Sequence, residues 1–374
     1  MPWLPENLIF PHCVPLLRPA ADDSVPLSIF PMNDSACRLT AVISLLTAGA
    51  SAGEPPPAAA STTVRTTTTA ASAATSDGTT TMTAKLDESA KTVRVEIGGR
   101  LFTELVYAGQ PKPVLFPIIG PDGLMMVRQW PLREAAPGEE KDHPHQKGLW
   151  FTHGNVNGID FWKEAEDAGK IVVQGVPEIT ADSGTVTLKT KERWQKPDGG
   201  VVLTSATAIT CGAEGDDRWI DYSITLSAPA GDVIFGDTKE GTMGIRVNPL
   251  LNLKGQAAKG SALSSEGKTG NAIWGTHARW IDYTAPAEGG VIGVACFDHP
   301  SNLRHPTTWH ARDYGLIAAN PFGLHDFQKM PKGAGDYTLQ KNQPLTLRYR
   351  WLFHRGDPAS AKIETRWQAW AAGK

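Results

Sequence analysis

The sequence predicts an all-β fold, a large antiparallel β-sandwich, from three features of its pattern. Apolar and polar residues alternate along several segments, which is typical of strands with one buried face. Turn-forming residues recur at short intervals, since 37 glycines and 28 prolines occur among the 374 residues. Helical spacing of apolar residues is scarce. Many short strands with frequent turns are typical of stacked antiparallel sheets.

The elements follow from this spacing. Period-two alternation predicts strands at residues 92–97, 201–209, 220–226 and 345–353. Residues 196–200 read KPDGG, a turn sequence that predicts a long hairpin over about 185–211. Near the end of the chain, residues 359–371 have the spacing of a short terminal helix.

The first 85 residues are expected to lie outside the folded domain. Residues 1–52 are interpreted as an upstream extension and a secretory signal: a start at Met32 places an apolar run before the small residues Ala50-Ser51-Ala52. The alternative is an apolar leader without a role in export. Residues 53–85, rich in Pro, Ala, Ser and Thr, are predicted to be a disordered tether. Residues 86–374 are predicted to form one β-sandwich domain, exported to the periplasm or the cell exterior.

Composition and missing motifs limit the function classes. A net charge of −3 does not indicate nucleic acid as a partner, and no run approaches the roughly 18 apolar residues of a transmembrane segment. We find no phosphate-binding loop, dinucleotide fingerprint, nucleophile elbow or zinc-protease motif, and no cofactor is predicted. Cys211 and Cys296 are expected to be buried free thiols, with a disulfide left open if the protein is exported. The oligomeric state is left open.

Residues 142–162, DHPHQKGLWFTHGNVNGIDFW, are the stretch richest in groups that can do chemistry. His153 ends a predicted strand beside a Gly/Asn loop, so it is predicted to act as a general acid or base, with a turn-bracing role as the alternative. His143 and His145 are weak metal-ligand candidates, because no carboxylate follows them at the spacing of a metal site. His145 is also predicted to be catalytic.

A second dense stretch, residues 298–326, contains four histidines. Seven of the ten histidines therefore lie in the two stretches, and burying so many unpaired imidazoles for packing would be costly. We expect the two stretches to converge on one face of the sandwich. His310 is predicted to be catalytic, and Asn302 and Asn320 to bind substrate.

Residues 240–249, EGTMGIRVNP, form a third candidate segment. Glu240 is predicted to be a general base and Arg246 a clamp for substrate oxygen atoms, with an ordinary ion pair between them as the alternative. Trp162 and Trp309 lie in polar contexts near the histidines and are predicted to be stacking surfaces for a sugar ring. Four other tryptophans, Trp150, Trp219, Trp280 and Trp351, are predicted to be in the core.

The stretch from His143 to Trp162, together with EGTMGIRVNP and the HPSNLRHP and NPFG segments, resembles a family of bacterial proteins labelled "methane oxygenase PmoA" or "PmoA family". The resemblance covers residues 90–370. It implies the supersandwich architecture of galactose mutarotase-like proteins, in which a histidine acts as acid and a carboxylate as base on a sugar. It does not imply methane oxidation, because the membrane subunit of that enzyme spans the bilayer and this chain has no spanning segment.

These observations predict an exported carbohydrate-active or carbohydrate-binding protein. If it is an enzyme, His and Glu would provide acid–base chemistry for epimerisation, elimination or glycoside cleavage. Two alternatives remain: a non-catalytic sugar-binding surface module, and a metalloprotein with histidine ligands. The ligand is expected to be a small-molecule or polysaccharide substrate.

Overall fold

Two large sheets make up the part of the chain that the structure describes. This computed structural model describes residues 81–182 and 184–373, and the backbone of the strand at 70–73. The predicted secretory signal and most of the predicted tether lie outside the described residues, so these boundaries stay predictions. In the described part, no helix is long and apolar enough to cross a bilayer.

The described residues contain mostly strands. In chain order these are β1 (Ala70–Ala73), β2 (Met82–Asp87), β3 (Thr92–Ile97), β4 (Arg100–Val106), β5 (Val114–Ile118), β6 (Leu149–His153), β7 (Lys170–Val173), β8 (Glu178–Asp182), β9 (Thr185–Gln195), β10 (Val201–Glu214), β11 (Asp217–Ser227), β12 (Val233–Phe235), β13 (Gly241–Arg246), β14 (Ser261–Ser264), β15 (Trp280–Ala287), β16 (Gly290–Asp298), β17 (Trp309–Ala311), β18 (Leu316–Ala319), β19 (Tyr337–Leu339) and β20 (Leu345–Arg355). The helices are α1 (Leu324–Gln328) and α2 (Ile363–Ala371), with single 3-10 turns at Pro121–Gly123, Pro249–Leu251 and Gly270–Ile273.

The strands pair antiparallel in two main sheets. The first has the order β1-β2-β3-β4-β5-β6-β13-β18-β17. The second has the order β14-β15-β16-β20-β11-β10-β9-β7, with β8 also paired to β9. Strands β12 and β19 form a small separate ribbon. The prediction of an all-β fold with large antiparallel sheets is confirmed.

The main core lies between the two sheets, and period-two alternation decides which side chains enter it. Buried core residues alternate along β3 (Val93, Val95, Ile97) and along β11 (Ile220, Tyr222, Ile224, Leu226). Phe151 of the first sheet stacks on Tyr222 of the second, with ring centroids 6.3 Å apart. Burying such faces gives about 25 cal/mol per Å² of apolar surface, which makes face-to-face packing of the sheets the dominant stabilising contact.

Several local predictions are confirmed. Strands β9 and β10 form the long hairpin around the turn at residues 196–200. Helix α2 forms near the C-terminus, within the segment predicted to be helical. Cys211 and Cys296 are both buried and unpaired, because each occupies a core position in its strand.

Candidate functional site

A row of residues on the outer face of the first sheet underlies the candidate site. Across the adjacent strands β6, β13, β18 and β17, Trp150 is in register with Gly244, Gly244 with Ala318, and Ala318 with His310. Residues in register share one face, and their chain neighbours on β6 and β17, Phe151 and Trp309, point into the core between the sheets. The small residues at the centre of the row leave space above the sheet between Trp150 and His310.

A pocket of about 430 Å³ lies in this region, a volume in the range of small-molecule sites. It is lined by His143, His145, Gln146, Asp160, Trp162, Lys163, Lys239, Glu240, His310, Arg312 and Tyr314. These residues come from all three segments that the sequence singled out. The structure thus brings the two histidine-rich stretches together at His143, His145 and His310, and adds Glu240 from the third segment.

The loop that carries His143 and His145 is held from below by Arg128. Its guanidinium is 1% exposed and donates hydrogen bonds to the backbone carbonyls of Glu140, Asp142, His143 and Gln146. Such a set of donors matches a loop whose carbonyls have no strand partner. Arg128 therefore determines the shape of the loop, although it does not line the pocket.

Asp142 links this loop to the sheet. Its Oδ1 accepts hydrogen bonds from Arg128 (2.5 Å) and Arg246 (2.8 Å), and its Oδ2 lies 2.6 Å from Nδ1 of His143. Partial burial acts to raise the pKa of Asp142, but Arg246, His143 and Arg128 outweigh it, so the pKa lies below the usual 3.8. Asp142 is thus held as an anion that orients the His143 ring.

His143 supplies the most exposed aromatic surface of the pocket. Its ring stacks on Tyr314, with centroids 5.1 Å apart and planes 10° from parallel, and its side chain is 43% exposed. The Arg246 guanidinium lies 4.5 Å from the Tyr314 ring centroid, and Arg312 lies 5.4 Å from it. Since Tyr314 is covered by these partners, the exposed part of His143 is the ring surface that remains for a ligand.

His145 stands at right angles to His143, with ring centroids 5.8 Å apart, and lies 6.2 Å from the Trp162 ring. Its pKa is lowered to about 4, first by burial and then by the charge of Lys112, whose Nζ donates to the His145 carbonyl. His145 is therefore neutral at pH 7, with one ring N–H and one acceptor nitrogen.

His310 faces the same pocket from β17. Burial lowers its pKa to about 3, and the nearby charge of Arg312 acts in the same direction. Within the described residues its Nδ1 has no hydrogen-bond partner. A buried ring nitrogen without a partner carries a desolvation cost, which a ligand hydroxyl in the pocket would remove.

Glu240 immediately precedes β13 and is 31% exposed, and its Oε1 lies 3.1 Å from Nζ of Lys239. Asn320 positions this segment, because its Nδ2 donates to the carbonyls of Thr238 and Lys239. Asn320 is fully buried and is absent from the pocket lining. Its predicted substrate contact is therefore replaced by a positioning role for Glu240.

The structure places His153 on the other face of the sheet. It alternates with Thr152 along β6, and its ring packs in the core against Phe235 and Phe322. Nε2 lies 2.8 Å from the Gly236 carbonyl, and burial lowers the pKa to about 4. The expectation that His153 acts on a ligand in this pocket needs correction, since strand alternation directs its side chain away from the pocket.

Three other predicted binding residues also lie away from the ligand space. Trp309 is fully buried and donates its indole N–H to the Ala278 carbonyl. Asn302 bonds with Asp298 and with the backbone of Arg348, none of which lines the pocket. Arg246 is 2% exposed and its guanidinium is engaged by Asp142 and Gln146. It therefore fixes the loop and does not clamp a substrate.

Trp162 borders the pocket, but its ring offers little surface. It is 2% exposed and packs against Trp150, with centroids 5.4 Å apart. Trp150 and Trp351 lie in the interior as expected. The stacking surface assigned to Trp162 is instead presented by His143.

Some site residues were missed from sequence. Lys112 and Lys147 share the carboxylate of Glu164 beneath His145, at 2.5 and 2.6 Å. Arg128 and Tyr314 were not singled out. Arg128 lies outside every dense stretch and no motif marks it, whereas the only sequence signal for Tyr314 was its position within the second stretch.

The geometry offers no donor set for a metal ion. In residues 81–182 and 184–373, no group of three or more His, Cys, Asp or Glu side chains is arranged to hold one. His143 and His145 lie edge to face, and His143 Nδ1 is engaged by Asp142. The metalloprotein alternative therefore gains no support from these side chains.

Comparisons with known proteins give distant structural similarity. A galactose 1-epimerase from Lactobacillus acidophilus NCFM is 9% identical, and the match covers 78% of this chain and 99% of that one with a TM-score of 0.32. A galactose mutarotase-like protein from Lactobacillus casei ATCC 334 is 9% identical, with 76% and 100% covered and a TM-score of 0.29. An alpha-galactosidase from Lactobacillus brevis is 13% identical, with 76% of this chain but 39% of that chain covered and a TM-score of 0.29. Sequence identities and TM-scores this low carry no information about the activity of this chain.

None of the curated proteins compared with this chain matches it. The PmoA label suggested by sequence resemblance stays a prediction. Residues 92–368, which include every residue that lines the pocket, match a protein family described as a family of unknown function. The chain belongs to this family, DUF6807.

Proposed function

We propose that the pocket above β6, β13, β18 and β17 binds a carbohydrate and carries out acid–base chemistry on it. The observation that carries this proposal is the convergence of two neutral imidazoles, His145 and His310, with the carboxylate of Glu240 in one pocket. The three groups come from distant parts of the sequence, which the pairing of β6, β13, β18 and β17 brings to one pocket.

The polar groups suit sugar hydroxyls. A neutral imidazole has one donor and one acceptor nitrogen, and a hydroxyl is also both donor and acceptor. The two can pair in either direction without placing a charge in the pocket. The exposed part of the His143 ring supplies an aromatic surface for the C–H face of a sugar, and the volume suits one or two pyranose rings.

In the reacting complex, Glu240 accepts a proton from the sugar. An N–H of His145 donates a hydrogen bond to the oxygen on which negative charge develops, since a neutral imidazole stabilises such charge without transferring its proton. Asn320 keeps Glu240 in place through the Thr238 and Lys239 carbonyls. Positioning of this kind affects rate more than affinity.

A second candidate is a sugar-binding module without catalysis. It is favoured by the contact of Lys239 Nζ with Glu240 Oε1 at 3.1 Å, because this carboxylate oxygen is already engaged by an ammonium group that competes with a ligand for it. The same His143 and imidazole contacts would then serve recognition only.

The two candidates separate in variants tested against a panel of galactose, glucose, mannose and their methyl glycosides. Binding is measured by calorimetry, and turnover by proton NMR in D₂O, which detects exchanged sugar protons, new products and released methanol. We expect E240Q to lower turnover by about a hundredfold or more with little change in affinity. We expect H143A to weaken binding. E214Q, at a glutamate 75% exposed and outside the pocket lining, is the matched control.

Turnover unchanged in E240Q would remove Glu240 as the base, and no detectable turnover by the unsubstituted protein would favour the binding module. If neither the sugars of the panel nor acidic sugars bind, the carbohydrate proposal fails.

We also propose that the chain is exported. This rests on the apolar run and the Ala50-Ser51-Ala52 pattern, which lie outside the described residues. N-terminal sequencing of protein secreted from a bacterial host tests it. A mature chain beginning near residue 53 is expected, and an uncleaved chain retained in the cytoplasm would contradict it.

A further inference from the structure

Two pairs of cations lie below the pocket, and each pair shares one carboxylate. Asp142 is shared by Arg128 and Arg246, and both guanidinium groups are at most 2% exposed. Glu164 is likewise shared by Lys112 and Lys147. The charges of Glu139, Glu140 and Asp160 also act on Arg128, Arg246 and Lys112 respectively, so these buried cations are compensated.

The cations that line the pocket differ in their partners. Lys239 is compensated by Glu240, and Lys163 by Asp167 at 3.0 Å. Arg312 is half-buried and forms no ion pair within residues 81–182 and 184–373; its partner there is the face of Tyr314. A cation at a pocket wall without a carboxylate partner is placed to bind an anion.

The two carboxylates that line the pocket are already engaged. Glu240 pairs with Lys239. Asp160 uses Oδ1 to accept hydrogen bonds from the backbone N–H groups of Trp162 and Lys163, at 2.8 and 3.0 Å, and its charge acts on Lys112 and Lys163. Among the described residues, Arg312 is therefore the lining cation that has no carboxylate partner.

We propose that the carbohydrate bound here carries a carboxylate, as a uronic acid does, and that Arg312 is its counter-ion. This inference rests on the proposed function, and it narrows the substrate class. A guanidinium presents two parallel N–H groups that match the two oxygens of a carboxylate.

The test compares sugars that differ only at C6. Affinities are measured by calorimetry at low salt for galactose with galacturonate, glucose with glucuronate, and mannose with mannuronate, and galactose 6-sulfate is added as a second anionic probe. We expect a uronate to bind at least about tenfold more tightly than its neutral partner, a difference of about 1.4 kcal/mol. The preference is expected to shrink as salt is raised.

R312Q is expected to lower uronate affinity at least about tenfold, to near the level of the neutral sugar, and to change the affinity for the neutral sugar much less. R94Q is the matched control, because Arg94 is an arginine of β3 paired with Glu96 and Glu104 and is absent from the pocket lining. R94Q should leave the preference intact.

The possible outcomes distinguish a failure of the carboxylate assignment from a failure of the proposed function. Equal affinity for uronate and neutral sugar, or an equal loss of both in R312Q, would overturn the carboxylate assignment and leave sugar binding in place. Tighter binding of the sulfate ester than of galacturonate would also overturn it. Binding of neither series would instead reject the proposed function on which it rests.

Discussion

The Arg246 guanidinium donates a hydrogen bond from Nη2 to Oδ1 of Asp142 over 2.8 Å, although the two residues are 104 positions apart in the chain. Arg246 ends strand β13 and Asp142 begins the loop before β6, so this bond joins the loop to the sheet. The loop carries His143 and His145 into the pocket. The site therefore depends on an ion pair that touches no ligand itself.

Replacing Asp142 with Asn should destabilise the protein by about 3 kcal/mol, because the buried guanidinium groups of Arg128 and Arg246 lose their shared anion. Urea denaturation measures this change. D167N is the control, since Asp167 is 74% exposed in its pair with Lys163, and a surface pair contributes about 0.5 kcal/mol. Equal effects of the two substitutions would contradict the structural role of Asp142.

Gly148 should tolerate no side chain. Its φ is +58°, and a Cβ there would lie 2.3 Å from the backbone oxygen of Leu115 on β5. We expect G148A to lower the free energy of unfolding by more than about 2 kcal/mol, since the backbone clash adds to the left-handed strain. G158A is the matched control, because Gly158 has φ +80° but nothing within 4 Å of the added Cβ. If G148A loses less free energy of unfolding than G158A, then β5 moves away from the added Cβ at no cost in stability.

Stability should fall as the pH is lowered from 6.5 to about 4, in part because of His153. Burial lowers its pKa in the folded state to about 4. Between these pH values the unfolded chain binds a proton that the folded chain excludes, so each such group removes up to about 1.4 kcal/mol per pH unit. The free energy of unfolding, measured by urea denaturation across this range, should fall less steeply with pH in H153Q. The difference in slope should correspond to about one proton.

His354 should have the opposite effect. Burial opposes its charge, but Asp282, whose Oδ1 lies 3.1 Å from Nε2, raises the pKa above 6.5. Its contribution to stability is present below pH 6.5 and is lost as the pH rises through the raised pKa. H354Q should therefore lose stability mainly at acid pH. A loss of stability in H354Q that is as large at alkaline pH as at acid pH would mean that these signs are wrong.

Glu192 is a buried carboxyl whose removal should stabilise the protein at neutral pH. Burial raises its pKa, and the hydroxyls of Ser205, Thr190 and Thr207 oppose that change without reversing it. Because the folded pKa is raised, stability is lost as the pH rises from about 4.5 through the folded pKa, and the loss persists at pH 7. E192Q should raise the thermal midpoint at pH 7 but change it little at pH 4. A lower midpoint at pH 7 would indicate that the hydroxyls stabilise the anion.

Local patterns predicted the strands and the turn well, because alternation and turn chemistry act over a few residues. The strand at 92–97 and the hairpin around residues 196–200 were both recovered. The clustering of histidines also pointed to residues that do share a pocket, such as His145 and His310. Face assignment failed for His153 and Trp309, since a dense motif does not reveal which side of a sheet each residue occupies.

By itself, the sequence determined the β class, the strand positions and the two stretches from which the pocket is built, since each depends on spacing along the chain. Only the tertiary structure decided which members of those stretches meet. Strand register places His310 beside Ala318 and above the sheet, whereas the adjacent Trp309 points into the core. Pairing between distant strands decides this, because a shift of one residue would exchange the two faces.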